Sequence, residues 1–347
     1  MRPLAAKERR GRFDVVARAL SGPVIAVCDA KVLRLHPHVG WALARKAARV
    51  VPLRAGERAK TLRTLERVTG ACLDVPRGAT VLAVGGGTIG DLTTVFAHTF
   101  KRGVARFVQV PTTSLAAVDS SVGGKGAVNV GAAKNALGVF HFADEAWLCP
   151  ELFETLTVAQ VREGLLEAWK MAVTLDASTW ARWKASPPSL DEAIAVGRRL
   201  KARLVAKDAF ETRGLRVALN FGHTFGHVIE SVSRFRVRHG EAVGLGMRVA
   251  LDVGVRLGVT PRAVAAEVES ALPDGPDARA RLERWLGAVP VEELGRLLAA
   301  DKKRVGGQGV AMVLLERPGR WRLVEVPWRV LRRQRWGAGV QGASEAS

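Results

Sequence analysis

The chain has 347 residues, with 53 lysines and arginines against 33 aspartates and glutamates, a formal charge of +20. Its 48% hydrophobic and 25% charged residues suit a globular protein with a large core and exclude disorder as the dominant state. Three scattered cysteines (Cys28, Cys72 and Cys149) exclude a disulfide framework and a cysteine-built zinc site.

The N-terminal stretch MRPLAAKERRGRFD is basic, but no apolar run follows it, so no secretory signal is expected. No run approaches the ~18 apolar residues that a membrane span needs. Together with the sparse cysteines, this points to a soluble, cytoplasmic protein. The basic residues are spread along the chain and are densest from Arg329 to Arg335. That pattern reads as a solvated surface rather than a nucleic-acid stripe, and it suits an anionic small substrate.

Over the first 150 residues, short apolar runs alternate with helical patterns. Pro23 to Asp29, Arg49 to Leu53, Ala79 to Gly87 and Arg106 to Thr113 read as buried strands. Helical periodicity lies between them, as at Lys60 to Thr69. The alternation predicts a parallel sheet covered on both faces. Pro111 to Asn135 reads as a polar loop carrying Asp119, Lys125, Lys134 and Asn135 among small residues. Small residues permit close ligand approach, and lysines can bind phosphate or carboxylate; a plain solvated loop is the alternative.

After about Pro150 the 3.6-residue period takes over, in Glu151 to Val173, Leu190 to Lys207, Gly222 to Val232 and Glu241 to Gly258. Strand-like runs return only at Val310 to Glu316 and Arg322 to Pro327. The expected organisation is an α/β domain over residues 1–150, a mainly helical domain over 151–336 and a flexible tail over 337–347.

Gly85, Gly87 and Gly90 fit G-x-G-x-x-G at the end of the third strand, with a helical pattern directly after. In that context the backbone can approach a pyrophosphate, and the helix N-terminus offers free N–H groups. No acidic residue lies ~20 positions downstream, where a ribose partner is usual. Asp29 and Glu57, upstream, are the available acids.

Three of the seven histidines fall close together: His223 and His227 at i, i+4 in LNFGHTFGHVIES, then His239. Imidazole suits zinc, and a catalytic site takes three protein ligands and keeps one position open. Glu163 and Glu167 are candidate carboxylate partners, with Lys170 on the same helical face as Glu167.

Taken in chain order, these motifs resemble the 3-dehydroquinate synthase family, the cyclising enzymes of the shikimate pathway. The resemblance runs from about Asp29 to Lys303. It rests on Gly56-Glu57-Arg58-Ala59-Lys60, GGGTIGDL, VQVPTT, VDSSVGGK, GAAKN, Glu167 to Lys170, GLRVALNFGHTFGH, HGEAV and Asp301-Lys302-Lys303. It implies a Rossmann-like, NAD-binding parallel-sheet domain followed by a mainly α-helical domain that binds metal and substrate. It implies zinc or cobalt on Glu167, His223 and His239, with His227 facing substrate instead. The implied NAD contacts are Asp29, Glu57, Lys60, Gly87, Thr88, Ile89, Gly90, Asp91, Thr112, Thr113 and Thr155, with Lys125 and Lys134 serving cofactor and substrate alike. The implied substrate and catalytic set adds Asp119, Asn135, Lys170, Lys201, Arg216, Asn220 and His227. Arg102 matches an arginine that enters a neighbouring subunit's site, which implies a homodimer. Lys302 or Lys303 matches a late basic residue. There are departures: the usual GGKTG reads Gly123-Gly124-Lys125-Gly126-Ala127, and Asn-His-Pro reads Asn129-Val130-Gly131. The later aromatic-Gln-Pro reads His141-Phe142-Ala143.

The resemblance implies conversion of 3-deoxy-D-arabino-heptulosonate 7-phosphate to 3-dehydroquinate and phosphate, the second step of chorismate and aromatic amino acid biosynthesis. Transient oxidation by NAD would acidify a C–H, phosphate would leave by elimination, hydride would return, and an aldol would close the ring. The metal would stabilise an alkoxide, and lysines and arginines would hold the anionic groups. Three readings compete. Another sugar-phosphate cyclase would take a substrate without the carboxylate. A metal-dependent alcohol dehydrogenase would consume free NAD and not need Lys125, Lys134 and Asn135. A nucleic-acid binder would leave the histidine and glutamate set unexplained.

Overall fold

The apolar runs of the first half form strands because they are buried on both faces. The computed structural model describes residues 6–131, 133–300 and 309–332. The strands among them are β1 (Lys7–Arg10), β2 (Val24–Asp29), β3 (Arg49–Leu53), β4 (Thr80–Gly85), β5 (Arg106–Pro111), β6 (Lys125–Val130), β7 (Ala133–Phe140), β8 (Glu145–Leu148), β9 (Gly309–Arg317) and β10 (Arg320–Pro327). Two compact units divide the chain. The first comprises Met1–Gly164 with Lys201–Phe210, and the second Leu165–Leu200 with Glu211–Ser347. The 301–303 element with Lys302 and Lys303, and the 337–347 tail, lie outside the described residues.

In the first unit, six strands pair in the order β1-β8-β5-β4-β2-β3, every pairing parallel. Side chains alternate across the sheet with the period of two that strands impose. Ile25, Val27, Val81, Ala83 and Phe107 join one core with Ile89 and Phe96. Val24, Ala26, Leu82, Val84 and Val108 join the other with Phe13 and Val16. From β2 the chain passes to β3 on one side, then crosses to β4 on the other. The reversal opens a crevice at the carboxyl ends of β2 and β4, where sheets of this type bind ligands.

The expected polar loop is ordered differently. Residues 125–140 form an antiparallel hairpin of β6 and β7. Glycines, alanines and asparagines interrupt its valines, so the strand signal is weak along the chain and tertiary packing decides the conformation. A Cβ on Gly126 would lie 2.4 Å from the Thr94 Cβ, so only glycine lets β6 lie flat on the helix Gly87–Thr99. The helical pattern expected from Glu151 also starts later. A short turn at Pro150–Phe153 precedes the helix Val158–Leu175. Thr157 and Gln160 form a capping box at its start: the Thr157 hydroxyl accepts from the Gln160 N–H at 3.3 Å, and the Gln160 amide oxygen accepts from the Thr157 N–H at 3.1 Å.

The second unit is helical, with β9 and β10 forming an antiparallel hairpin. Its centre is the helix His239–Arg256, buried along most of its length. Arg248 donates to Asp274 from Nε at 3.0 Å and faces Glu269 at 2.8 Å. Arg279 joins Asp252 to Glu269. Such buried networks hold only while every member is present, since removing one leaves an unpaired charge. Among the described residues, no helix is long and apolar enough to cross a membrane.

On β8, between β1 and β5, Glu145 accepts from Arg9 Nε at 3.0 Å, Arg106 Nη2 at 2.7 Å and Trp147 Nε1 at 2.8 Å. Burial alone would push its carboxyl up, but the Trp147 N–H and the two guanidinium charges outweigh burial and hold it below the usual range. A carboxyl lowered on folding stabilises fully above its unfolded value and loses that stabilisation as pH falls through the lowered one. Glu145→Gln therefore costs about 1–2 kcal/mol at pH 7. In denaturant titrations the gap to wild type persists down to about pH 5 and closes below about pH 4.

Candidate functional site

The glycine turn and its neighbours collect at the carboxyl end of the parallel sheet. Gly86 caps the helix Gly87–Thr99 in an extended conformation without any side-chain cap, which leaves the first N–H groups for a ligand. A Cβ on Gly85 would lie 2.6 Å from Ile89, and one on Gly86 would lie 3.0 Å from Thr113. Nothing lies within 4 Å of the position a Gly90 Cβ would take. Ile89 is buried in the core, so its backbone alone is available. Thr112 N donates to the Gly85 carbonyl at 3.0 Å, which seats Thr112 and Thr113 beside Gly85, Gly86 and the adjoining Thr88. The crevice and uncapped N-terminus fit a dinucleotide.

Asp29 ends β2 and caps the following turn, accepting from Lys31 N at 2.9 Å. Burial pushes its carboxyl up, and Lys31 only partly offsets this. Glu57 and Lys60 follow β3, where Lys60 Nζ reaches Asp91 at 2.7 Å and Glu57 at 3.9 Å. Thr155 Oγ1 meets the buried His36 Nε2 at 2.9 Å.

Lys201 is buried and donates to both the carbonyl and Oδ1 of Asp119, each at 2.8 Å. Lys125, Lys134 and Asn135 are exposed on the β6–β7 hairpin. Arg102 is exposed and left-handed, with φ +69°, in the turn after the glycine helix.

The second unit brings the metal candidates together. Glu167 lies in the helix Val158–Leu175, His223 opens the helix His223–Val232, and His239 opens the helix His239–Arg256. One ligand atom from each lies within 4.8 Å of the others. The last two helices cross with their backbones in contact. A Cβ on Gly246 would lie 2.0 Å from the Gly222 carbonyl, and one on Gly222 would lie 2.6 Å from the Val243 carbonyl. Glycine at both positions lets His223 and His239 converge. Both Nε2 atoms stand 3.7 Å from Glu167 Oε1, an oxygen fully buried without a hydrogen bond. Two imidazoles and an unsatisfied carboxylate around one point fit a divalent cation.

Lys170 forms a buried ion pair with the other oxygen of Glu167. His227 stacks edge-on to His223, with ring centroids 5.6 Å apart, and does not join the ligand cluster. Arg216 is buried and pairs with Glu211 at 3.2 Å, and Asn220 closes the same turn. Glu163 is not part of the cluster either.

Sequence reasoning missed Glu230. It lies 3.4 Å from His239 Nδ1, on the far side of the ring from Glu167. Burial would lower the His239 imidazole, but the Glu230 hydrogen bond and charge, with Glu167, hold it raised. Glu230 also fixes the tautomer, because an Nδ1–H directed at Glu230 leaves Nε2 free to ligate. The available signal was its spacing, one and two helical turns beyond His227 and His223. His36 was missed too, since nothing in its own segment announces Thr155.

Residues 50–163 match the profile of the 3-dehydroquinate synthase N-terminal region, and residues 164–304 that of its C-terminal region. The chain belongs to the 3-dehydroquinate synthase family. It is 40% identical over 333 residues to the 3-dehydroquinate synthase of Bordetella pertussis, covering 89% of each chain. Among solved structures it resembles a 2-deoxy-scyllo-inosose synthase complexed with carbaglucose-6-phosphate, NAD+ and Co2+, at TM-score 0.81 and 23% identity over 94% of both chains. It also resembles the 2-epi-5-epi-valiolone synthase of Streptomyces hygroscopicus with NAD+ and Zn2+ bound, at TM-score 0.81 and 24% identity over 96% of both chains. These two likenesses establish the fold: a Rossmann-like parallel-sheet domain followed by a helical one.

Two outcomes test the metal set. Glu230→Ala weakens metal binding about 10–100-fold, and Glu230→Gln, which keeps an acceptor, weakens it less. Chelator competition on the apo protein measures both, and equal affinities would remove Glu230 from the site. Gly246→Ala forces the helices apart and costs about 3 kcal/mol or more, read by denaturant titration.

Proposed function

We propose that the protein is a 3-dehydroquinate synthase, converting 3-deoxy-D-arabino-heptulosonate 7-phosphate to 3-dehydroquinate and phosphate with NAD as a recycled cofactor. The observation that carries this reading is the cluster of Glu167, His223 and His239 around one point, on a chain of this family. Bound nicotinamide would supply a reversible hydride acceptor, and a bound divalent ion a Lewis acid for a hydroxyl.

The rest is the work of the chain's own groups. Glu167, His223 and His239 would hold the ion. The uncapped N–H groups from Gly87 onward would hold pyrophosphate, and Asp29 and Glu57 would receive ribose hydroxyls. Lys60, Asp91, Thr112, Thr113 and Thr155 would line the remainder of the nucleotide. Lys125, Lys134 and Asn135 would bind substrate through its phosphate, with Arg216, Asn220 and His227 directed to its carboxylate and hydroxyls. Lys170 and Lys201 are held in place by Glu167 and Asp119 and would face the substrate's anionic groups. Proton movement then falls to groups already within hydrogen-bond reach of one another.

Arg102, exposed on its strained turn, would serve the site of a second copy, which makes the assembly a homodimer. The three cysteines are free and buried; burial pushes the Cys72 thiol to about 11 and the other two further, which leaves them unreactive and suits a reducing cytoplasm.

The test mixes enzyme, excess keto-acid phosphate and a trace of NAD, and follows phosphate and NADH together. Phosphate should rise far beyond the NAD added while NADH stays flat, and a chelator should stop both binding and turnover. One NADH per product would instead make the protein a dehydrogenase.

A further inference from the structure

Asn129 opens the run Asn129-Val130-Gly131, which stands where the family resemblance has Asn-His-Pro. It stands where the β6–β7 ladder breaks. Val128 pairs with Leu137, but Val130 pairs with Ala133, so Lys134, Asn135 and Ala136 bulge out of the pairing. Bulges of this kind re-aim side chains.

The Asn129 side chain is committed at both ends. Its Nδ2 donates to Glu57 Oε1 at 2.8 Å, and its Oδ1 accepts from the Asn135 N–H at 2.8 Å. Its own N–H donates to the Lys60 carbonyl at 2.8 Å, and Thr61 bridges to it in parallel. Asn135 is left-handed, at φ +51°, a conformation asparagine adopts more readily than most side chains, and the Asn129 bond to its N–H holds it there. One amide therefore fixes the carboxylate of Glu57 and pins the bulge that presents Lys134 and Asn135.

We infer that Asn129 is a positioning residue that joins the nucleotide contact at Glu57 to the substrate-binding bulge at Lys134 and Asn135. This rests on the roles given to those residues under the proposed function. The amide is suited to the task because it offers a donor to an anion and an acceptor to a backbone N–H at once. Aspartate keeps the acceptor, loses the donor and sets a second carboxylate against Glu57. Alanine loses both.

The two substitutions separate the two arms. NAD+ binding is measured directly by calorimetry, and turnover at saturating NAD+ is normalised to the NAD+-binding stoichiometry from the same titration, so that misfolded protein is not counted. Asn129→Asp should raise the NAD+ dissociation constant on the order of tenfold or more while turnover stays within about threefold of wild type. Asn129→Ala should raise the constant by a smaller factor and lower turnover on the order of tenfold. A purely structural role would lower the folded fraction in both variants and leave NAD+ affinity and normalised turnover unchanged. Unchanged NAD+ affinity in Asn129→Asp, or equal turnover losses in both variants, overturns the inference. A wild-type protein that does not bind NAD+ overturns the nucleotide reading itself, which is a different result.

Discussion

A carboxylate buried with too few partners sets the terms for the second unit. Glu167 is fully buried, and an isolated ionised carboxylate in such a place is costly. Lys170 offsets part of that cost on one oxygen. The other oxygen faces two imidazoles at 3.7 Å, beyond hydrogen-bond range but suited to a shared cation. The helices bearing those imidazoles can approach only because Gly222 and Gly246 have no Cβ at their crossing. The tight crossing, the charge network behind the helix His239–Arg256 and the Glu230 contact thus serve one end. They hold three candidate ligand side chains where a divalent cation would fit.

The first unit obeys a different constraint. A parallel sheet buries both faces, so polar function is pushed to the ends of its strands. The strand order then selects which strands: the connections leaving the paired β2 and β4 run to opposite sides, and Asp29 and the glycine turn flank the opening. Asp29 and Glu57 lie before the glycine turn in sequence because β2 and β3 precede β4. The unusual order of acids relative to glycines is a consequence of topology rather than a weak motif.

The strands of the sheet core were legible because both-face burial writes continuous apolar runs, and the helix Leu190–Lys207 was legible because its period is regular. β1 (KERR) carries no apolar signal and exists because it pairs with β8. The β6–β7 hairpin was read as a loop because its stabilisation comes from Gly126 against Thr94, a contact invisible along the chain. The histidines and Glu167 were legible as a set through spacing and resemblance. Glu230 and Asn129 were not, for each acts on another side chain rather than on a ligand. Residues with that kind of role leave a trace only when the partner's position is known.

Two kinds of lysine follow from the same electrostatics. Lys60, Lys170 and Lys201 are buried, and each has a carboxylate partner: Asp91, Glu167 and Asp119. Each pairing holds its lysine in one place beside a carboxylate. Lys125 and Lys134 lie exposed on the β6–β7 hairpin. A fixed cation can orient an anion but cannot reach for it, whereas an exposed lysine on a hairpin can do so at the cost of side-chain entropy. The overall excess of positive charge adds a long-range attraction that brings such an anion in. A positive field of this kind suits a small anionic substrate.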